Sequence, residues 1–438
     1  MSFVTPLDLE RVGRAQAFGK KILAMADALA AHSDDADALT VTYQTPAHRA
    51  TATLLLTWMR EAGMDAHIDV LGNVVGRYSA LSTEWGLTET TPFNPPRVLM
   101  TGSHYDTVRN GGRYDGRLGI LLPIVVIADL HARGMSLPYD IEVVGFAEEE
   151  GVRFKSTFLG SSAMAGKFDV SVLDRRDRDD IPMHELLAPD ARDKIDYLKR
   201  TPAELLGFLE VHIEQGPVLL DRGLALGVVT SIAGSRRFVA TVEGTASHAG
   251  TTPMTMRRDA AAAAAEMILA IERRCAGVAG LVGTVGMLEV PRGATNVIPG
   301  RCDFSIDMRA DVDVTLNAAV TDVLEQCRSI AARRDVKLVL EPTLAVPAVP
   351  CSPSLMSVVE SAVEAVGVPA FRLASGAGHD AMMMAGITDV AMLFVRCGNG
   401  GISHNPLETM TSDDAGVASL AFAECLDRLE SALLGQHD

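Results

Sequence analysis

Thr101-Gly102-Ser103-His104-Tyr105-Asp106-Thr107-Val108 closes an apolar run that starts near residue 97. A strand that ends in His-x-Asp rather than in ordinary turn residues sets the reading of the whole chain. The same habit recurs downstream. Gly111-Gly112-Arg113-Tyr114-Asp115-Gly116 follows, then Glu148-Glu149-Glu150-Gly151, then Glu210-Val211-His212-Ile213-Glu214-Gln215-Gly216-Pro217, and finally Gly401-Ile402-Ser403-His404-Asn405-Pro406. Each places histidine or carboxylate at the end of an apolar run, beside a glycine or polar turn. Any one of these alone is an ordinary polar residue, and the glutamate run alone is a solvated turn. Together they describe a metal site at the carboxyl ends of strands in an α/β sheet. Imidazole and carboxylate without thiolate suit zinc, and equally manganese, cobalt or nickel.

The chain has 438 residues, enough for two domains. With 48% hydrophobic and 22% charged residues it reads as a soluble globular protein. Its net charge of −17 argues against a nucleic-acid partner, since phosphates need Lys and Arg. The six cysteines are scattered and form no Cys-x-x-Cys pair, so reduced thiols and a cytoplasmic location are expected. Residues 1–10 show no basic segment leading into an apolar core, so no signal peptide is expected. The longest apolar runs, such as residues 118–128, fall short of the roughly 20 residues a membrane span takes.

Helical spacing predicts helices over residues 7–31 and 46–62, the second opened by Pro46. Short strands are expected at 66–70 and 73–78, and buried strands at 97–103 and 141–147. Between the last two, residues 118–132 read as a buried helix with Pro123 in its first turns. The alternation argues for a layered α/β domain. Residues 232–345 differ. Strands at 238–242, 281–288, 302–308 and 336–340, with helices at 259–274 and 315–334, give the order β-α-β-β-α-β of a ferredoxin-like α+β sandwich. The expected domains are therefore 1–231 and 346–438 for the catalytic part, with 232–345 inserted. A helix at 354–366, a strand at 391–395 and a closing helix at 412–434 complete the catalytic part. The Met-rich stretch 382–384 reads as core filling.

The motifs identify the chain as resembling the hydantoinase/carbamoylase-type amidases, which include N-carbamoyl-L-amino-acid hydrolases, allantoate amidohydrolases and β-ureidopropionases, within the two-metal aminopeptidase-like hydrolases. The stretches that carry the resemblance are 102–108, 149–154, 212–217, 247–254 (Ser-His-Ala-Gly-Thr-Thr-Pro-Met), 296–300 (Asn-Val-Ile-Pro-Gly), 375–381 (Ser-Gly-Ala-Gly-His-Asp-Ala) and 403–406. Arg113-Tyr114 departs from the Phe or Asn usual before the bridging aspartate. The resemblance implies a three-layer αβα aminopeptidase-like catalytic domain with an inserted ferredoxin-like domain for dimerisation and closure, hence a homodimer.

It also implies roles. Two divalent ions would be held by His104, Asp115, Glu150, His212 and His404. Asp115 bridges them, His104 and His212 go to different ions, and Glu150 and His404 join one each. Asp106 orients His104 from behind. Glu149 is the general base for a bridging water that loses its proton near neutral pH and becomes the nucleophile. Glu148 has no role by analogy and reads as structural or solvated. In the insert, His248 stabilises the oxyanion, Asn296 binds substrate, and Arg309 forks onto the substrate carboxylate. Without the resemblance, His248 is equally a surface histidine, and Arg309 equally a surface ion pair with Asp307 or Asp311. Gln215, Gly376 and Gly378 are placed near substrate.

The expected activity is metal-dependent cleavage of the carbamoyl (ureido) C–N bond of an N-carbamoyl-L-amino acid or of allantoate, small ureido acids with a free carboxylate. Alternatives are a dipeptidase or aminoacylase on the same scaffold, and a non-catalytic metal-binding scaffold. The second is disfavoured because Glu149 and all five ligands are present.

Overall fold

In the computed structural model, which describes residues 6–80 and 97–434, contacts divide the chain into two units. One runs up to Thr230 and takes in Cys351–Leu373 and the chain from His379 on. The other comprises Ser231–Pro350 with Ala374–Gly378. Residues 1–5, part of the stretch read for a signal peptide, lie outside the described residues.

The first unit is built on a mixed sheet of β1 (Asp65–Ile68), β2 (Val74–Tyr78), β3 (Val98–His104), β4 (Asp140–Phe146), β5 (Leu205–Ile213), β6 (Leu226–Ile232) and the late strand Val390–Val395. The last two residues of β6 open the second unit. The order is β1-β2-β4-β3-β5, then Val390–Val395, then β6. The β4-β3, β3-β5 and β5-to-Val390–Val395 ladders are parallel, and the flanking pairs are antiparallel. β3 and β4 are buried along their whole length, as parallel strands covered on both faces must be.

Helix α1 (Pro6–Ala30) packs on Ser412–Leu434 and on α3 (Leu118–Ala132), while α2 (Pro46–Glu61) packs on β1 and β2. The Thr45 hydroxyl caps α2 by accepting the His48 N–H at 3.2 Å, with Pro46 in the first turn. α3 is apolar on nearly every side and correspondingly buried, with Pro123 in its second turn. The α/β class and the layering expected from the sequence are present. Residues 151–204, in which the sequence showed no element, form short helices and 3-10 turns. No helix among the described residues is long and apolar enough to cross a membrane.

In the second unit the sheet order places Lys337–Val346 beside Gly234–Glu243, then Arg301–Ala310, which pairs with both Leu281–Thr284 and Leu288–Glu289. With two helices between the strands this is the ferredoxin-like arrangement. The single strand expected over 281–288 is two, broken at residues 285–287. Arg301–Ala310 alternates strictly, with even-numbered residues buried. Cys302, Phe304, Ile306 and Met308 meet the buried faces of Ala260–Cys275 and Asp313–Arg333. Odd-numbered residues, Asp307 and Arg309 among them, point the other way.

Candidate active site

The parallel strands all end on one side. His104 closes β3 opposite Phe146 of β4, and His212 sits one residue from the end of β5, in register with Phe394. Beyond β4 the chain turns through Glu148, Glu149 and Glu150. Asp115 lies in the turn before α3, and His404 in the loop after Val390–Val395. Four separate loops therefore meet at the carboxyl edge of the sheet, where α/β sheets bind ligands.

Asp115 is the centre. Its Oδ1 lies 3.3 Å from His212 Nε2 and 3.8 Å from His104 Nε2, and its Oδ2 lies 3.1 Å from His404 Nε2. His404 Nε2 is also 3.4 Å from Glu150 Oε1. The amide nitrogen of Gln215 donates to both Asp115 oxygens at 3.0 Å. The Gln215 Oε1 is buried with no hydrogen-bond partner among the described residues. Gly116 has φ +66°, and a Cβ there would lie 2.5 Å from the His104 ring, so the turn closes over that imidazole only with glycine.

The imidazoles are oriented from behind. His212 Nδ1 is 2.8 Å from the Ile213 carbonyl, and His104 Nδ1 is 3.1 Å from the Asp106 carbonyl and 3.4 Å from its Oδ1. An N–H at each Nδ1 leaves the Nε2 lone pair facing Asp115. The Asp106 carboxylate accepts the backbone N–H groups of Glu149 and Glu150, each at 3.1 Å.

Electrostatics follow from this packing. Burial holds His212 down to about 4, leaving it a neutral donor of its lone pair. Burial opposes ionisation of Asp115, but the His404 hydrogen bond and the three imidazoles outweigh it and hold its carboxyl below the usual range. The hydrogen bond to Asp115 raises His404 to about 9. Burial raises Glu150 to about 7. Glu149 is pushed well above the ordinary carboxylate range, first by burial, with the Glu150 charge adding to it.

Four groups among the described residues bring three ligand atoms within reach of a cation: His104-Asp115-His212, Asp115-Glu150-His404, His104-Glu149-Glu150 and Glu210-His212-His379. The nitrogen-and-oxygen donor set, the neutral His212 and the ionised Asp115 fit a divalent metal. The geometry divides the ligands otherwise than the resemblance implied. His104 and His212 share Asp115 Oδ1, whereas His404 faces Oδ2 together with Glu150. The two carboxylate oxygens point apart, one toward the strand ends and the other toward the late loop.

His248, Asn296, Arg309, Gly376 and Gly378 lie in the second unit. His248 is exposed on a two-stranded ribbon opposite Val297, and the Asn296 carbonyl accepts the Ala249 N–H at 3.0 Å, so these two expected site residues are neighbours. Arg309 forks onto Asp307, with Nε 3.2 Å from Oδ1 and Nη2 3.0 Å from Oδ2. Its Nη1 donates to the Gly376 carbonyl at 2.8 Å. Three of its five N–H groups are thus engaged and two are left. A Cβ at Gly376 would meet nothing within 4 Å.

Glu148 is not solvated. It is wholly buried, and burial followed by the Asp106 charge raises its carboxyl well above the usual range. The sequence reading also passed over Glu408, which accepts the N–H groups of Tyr114 and Asp115, and Ser403, which donates to Asp115. It passed over His379 too, whose ring packs edge-on against His212 with centroids 4.5 Å apart. Their signals were present in Ser403-His-Asn-Pro-Leu-Glu408 and Gly378-His-Asp380, but as neighbours of louder residues.

Comparison with known proteins agrees with this architecture. The sequence model of peptidase family M20/M25/M40 matches residues 100–428, and the chain belongs to that family. It is an amidohydrolase. Allantoate deiminase of Arabidopsis thaliana is 39% identical over 430 residues, covering 90% of this chain and 79% of that one. N-carbamoyl-L-amino acid amidohydrolase of Geobacillus stearothermophilus is 37% identical over 382 residues, covering 86% and 89%. The crystal structure of a hydantoinase/carbamoylase-family amidase from Burkholderia multivorans superposes with a TM-score of 0.83 at 31% identity, covering 94% of this chain and 97% of that one.

Proposed function

We propose that this protein hydrolyses the carbamoyl (ureido) C–N bond of an N-carbamoyl-L-amino acid or of allantoate, using two divalent metal ions. The observation that carries the proposal is Asp115 set among three imidazoles, with Glu149 beside Glu150 at the same strand ends. The names of the relatives support the substrate class.

His104 and His212 would hold one ion and Glu150 and His404 the other, with Asp115 shared between them. Zinc is favoured by the donor set, which manganese, cobalt and nickel also satisfy. Ions held there supply Lewis acidity toward the scissile carbonyl and acidify water. Glu149, with a raised pKa, takes the proton of the attacking water and delivers it to the leaving nitrogen. The unpartnered Gln215 Oε1 is the acceptor assigned to a ureido N–H. Arg309 offers its two remaining N–H groups to the substrate carboxylate, with the Gly376–Gly378 backbone beside it, and Asn296 is a further substrate-binding group. His248 donates to the developing oxyanion. The protein acts as a homodimer in the cytoplasm, a setting in keeping with six buried, unpaired cysteines.

The test is hydrolysis of a panel of carbamoyl amino acids, allantoate and dipeptides, with and without chelator, read as ammonia release for the ureido acids and as release of free amino acid for the dipeptides. Turnover of a ureido acid that chelator abolishes and Zn²⁺ or Mn²⁺ restores is the expected result. Faster turnover of a dipeptide would overturn the substrate class. Mixing His248→Ala with Glu149→Gln protein tests sharing between subunits, which predicts partial recovery of activity.

A further inference from the structure

The geometry points to Glu408 as a positioning residue that fixes Asp115 and His404 in one frame; this rests on reading those two residues as metal ligands. Glu408 is buried, at 4% exposure. Its Oε1 accepts the N–H of Tyr114 at 2.8 Å and of Asp115 at 3.2 Å. Its Oε2 lies 3.2 Å from the Ser403 hydroxyl, which is also 3.1 Å from Asp115 Oδ2, so the one hydroxyl proton is shared between the two carboxylates. One carboxylate therefore grips the backbone of the shared aspartate directly and its side chain through Ser403.

The same residue fastens the loop of His404. The Glu408 N–H donates to the Asn405 carbonyl at 3.0 Å, and the Leu407 N–H donates to Asn405 Oδ1 at 2.9 Å. His404 itself has φ +54°, a conformation a non-glycine residue keeps only when its surroundings enforce it. On the other side, a Cβ at Gly112 would lie 2.1 Å from the Glu408 carboxyl carbon, so the Asp115 loop leaves room for this group. A buried carboxylate set beside a second one is a poor device for stability alone. Its contacts all lead instead to Asp115 and to the loop of His404, segments 288 residues apart.

The test measures Zn²⁺ affinity by competition with a chromophoric chelator, and the Co²⁺ absorption spectrum, for wild type, Glu408→Gln, Glu408→Ala, Ser403→Ala and Asp115→Asn. Loss of an outer partner typically weakens metal binding about 10–100-fold. Glu408→Ala is expected near the upper end of that range. Glu408→Gln, which keeps an acceptor for the two N–H groups, is expected near the lower end, with Ser403→Ala weaker still. The Co²⁺ bands should shift in the Glu408 variants while the melting temperature of metal-free Glu408→Gln stays that of wild type. Should Glu408→Ala fail to fold, Glu408→Gln and Ser403→Ala decide. Wild-type affinity and spectrum in these variants, with binding lost in Asp115→Asn, would overturn the role of Glu408. Wild-type binding by Asp115→Asn would instead overturn the ligand assignment beneath it.

Discussion

The Asp106 carboxylate accepts the backbone N–H of Glu150 at 3.1 Å through Oδ2, while its Oδ1 takes that of Glu149 at the same distance. The residue that backs His104 on β3 thus also sets the turn after β4. Asp106→Asn puts an amide N–H against one of those donors and repels it. Metal affinity is expected to fall about 10–100-fold, as for other outer partners of metal ligands. Chelator competition alongside kcat checks this, and an unchanged affinity would confine Asp106 to folding.

Glu149 and Glu150 should separate in their effects. Glu149→Gln removes a proton acceptor and no ligand. Turnover should fall about 10²–10⁴-fold, the usual share of general acid–base catalysis, with metal content near wild type. Asp115→Ala should lose metal. Metal analysis of the purified variants, read beside initial rates, distinguishes the two. Substantial turnover in Glu149→Gln would mean another group takes the proton.

Substrate charge should matter through Arg309. Removing one member of a buried charge-assisted pair costs about 2–5 kcal/mol. Arg309→Ala should therefore slow a carbamoyl amino acid strongly and its amide analogue little, in kcat/KM. Equal slowing of both would make Arg309 structural, serving Asp307 and the Gly376 loop alone.

Asp307 gives a pH-dependent signature. Burial acts to raise its pKa, but the Arg309 hydrogen bonds and the charges of Arg309 and Arg237 outweigh it and hold it below 3.8. A carboxyl depressed on folding stabilises the fold above its unfolded value, and that stability is lost as pH falls through the folded value. The melting-temperature gap between wild type and Asp307→Asn should therefore be full at pH 6 and shrink below about pH 3.8. A gap that stays constant down to pH 2.5 would show that the ion pair does not carry the effect.

Much of the fold was legible because it is locally encoded. The helix at 118–132 is apolar over successive turns and lies between turn signals, and the closing helix at 412–434 keeps its period throughout. Both were read to the residue. Residues 285–287 interrupt a strand that alternation alone reads as continuous, because the break is made by pairing with Arg301–Ala310. Residues 151–204 fold as short turns that are too brief for any period to register. Glu148 misled because a run of three glutamates looks hydrated, and only packing shows the first to be buried.

The amino-acid sequence by itself determined which chemistry arrives at the strand ends: imidazoles at 104, 212 and 404, carboxylates at 106, 115, 149 and 150, and no thiolate among them. Strand ends follow from local patterns of apolar residues and turns, so these placements need no knowledge of neighbours. Tertiary structure alone decided how they combine. Asp115 turns Oδ1 to His104 and His212 and Oδ2 to His404, Gln215 seals both oxygens, and Glu408 braces the assembly. Those choices are made between loops hundreds of residues apart, where hydrogen-bond direction and burial act and sequence spacing carries no signal.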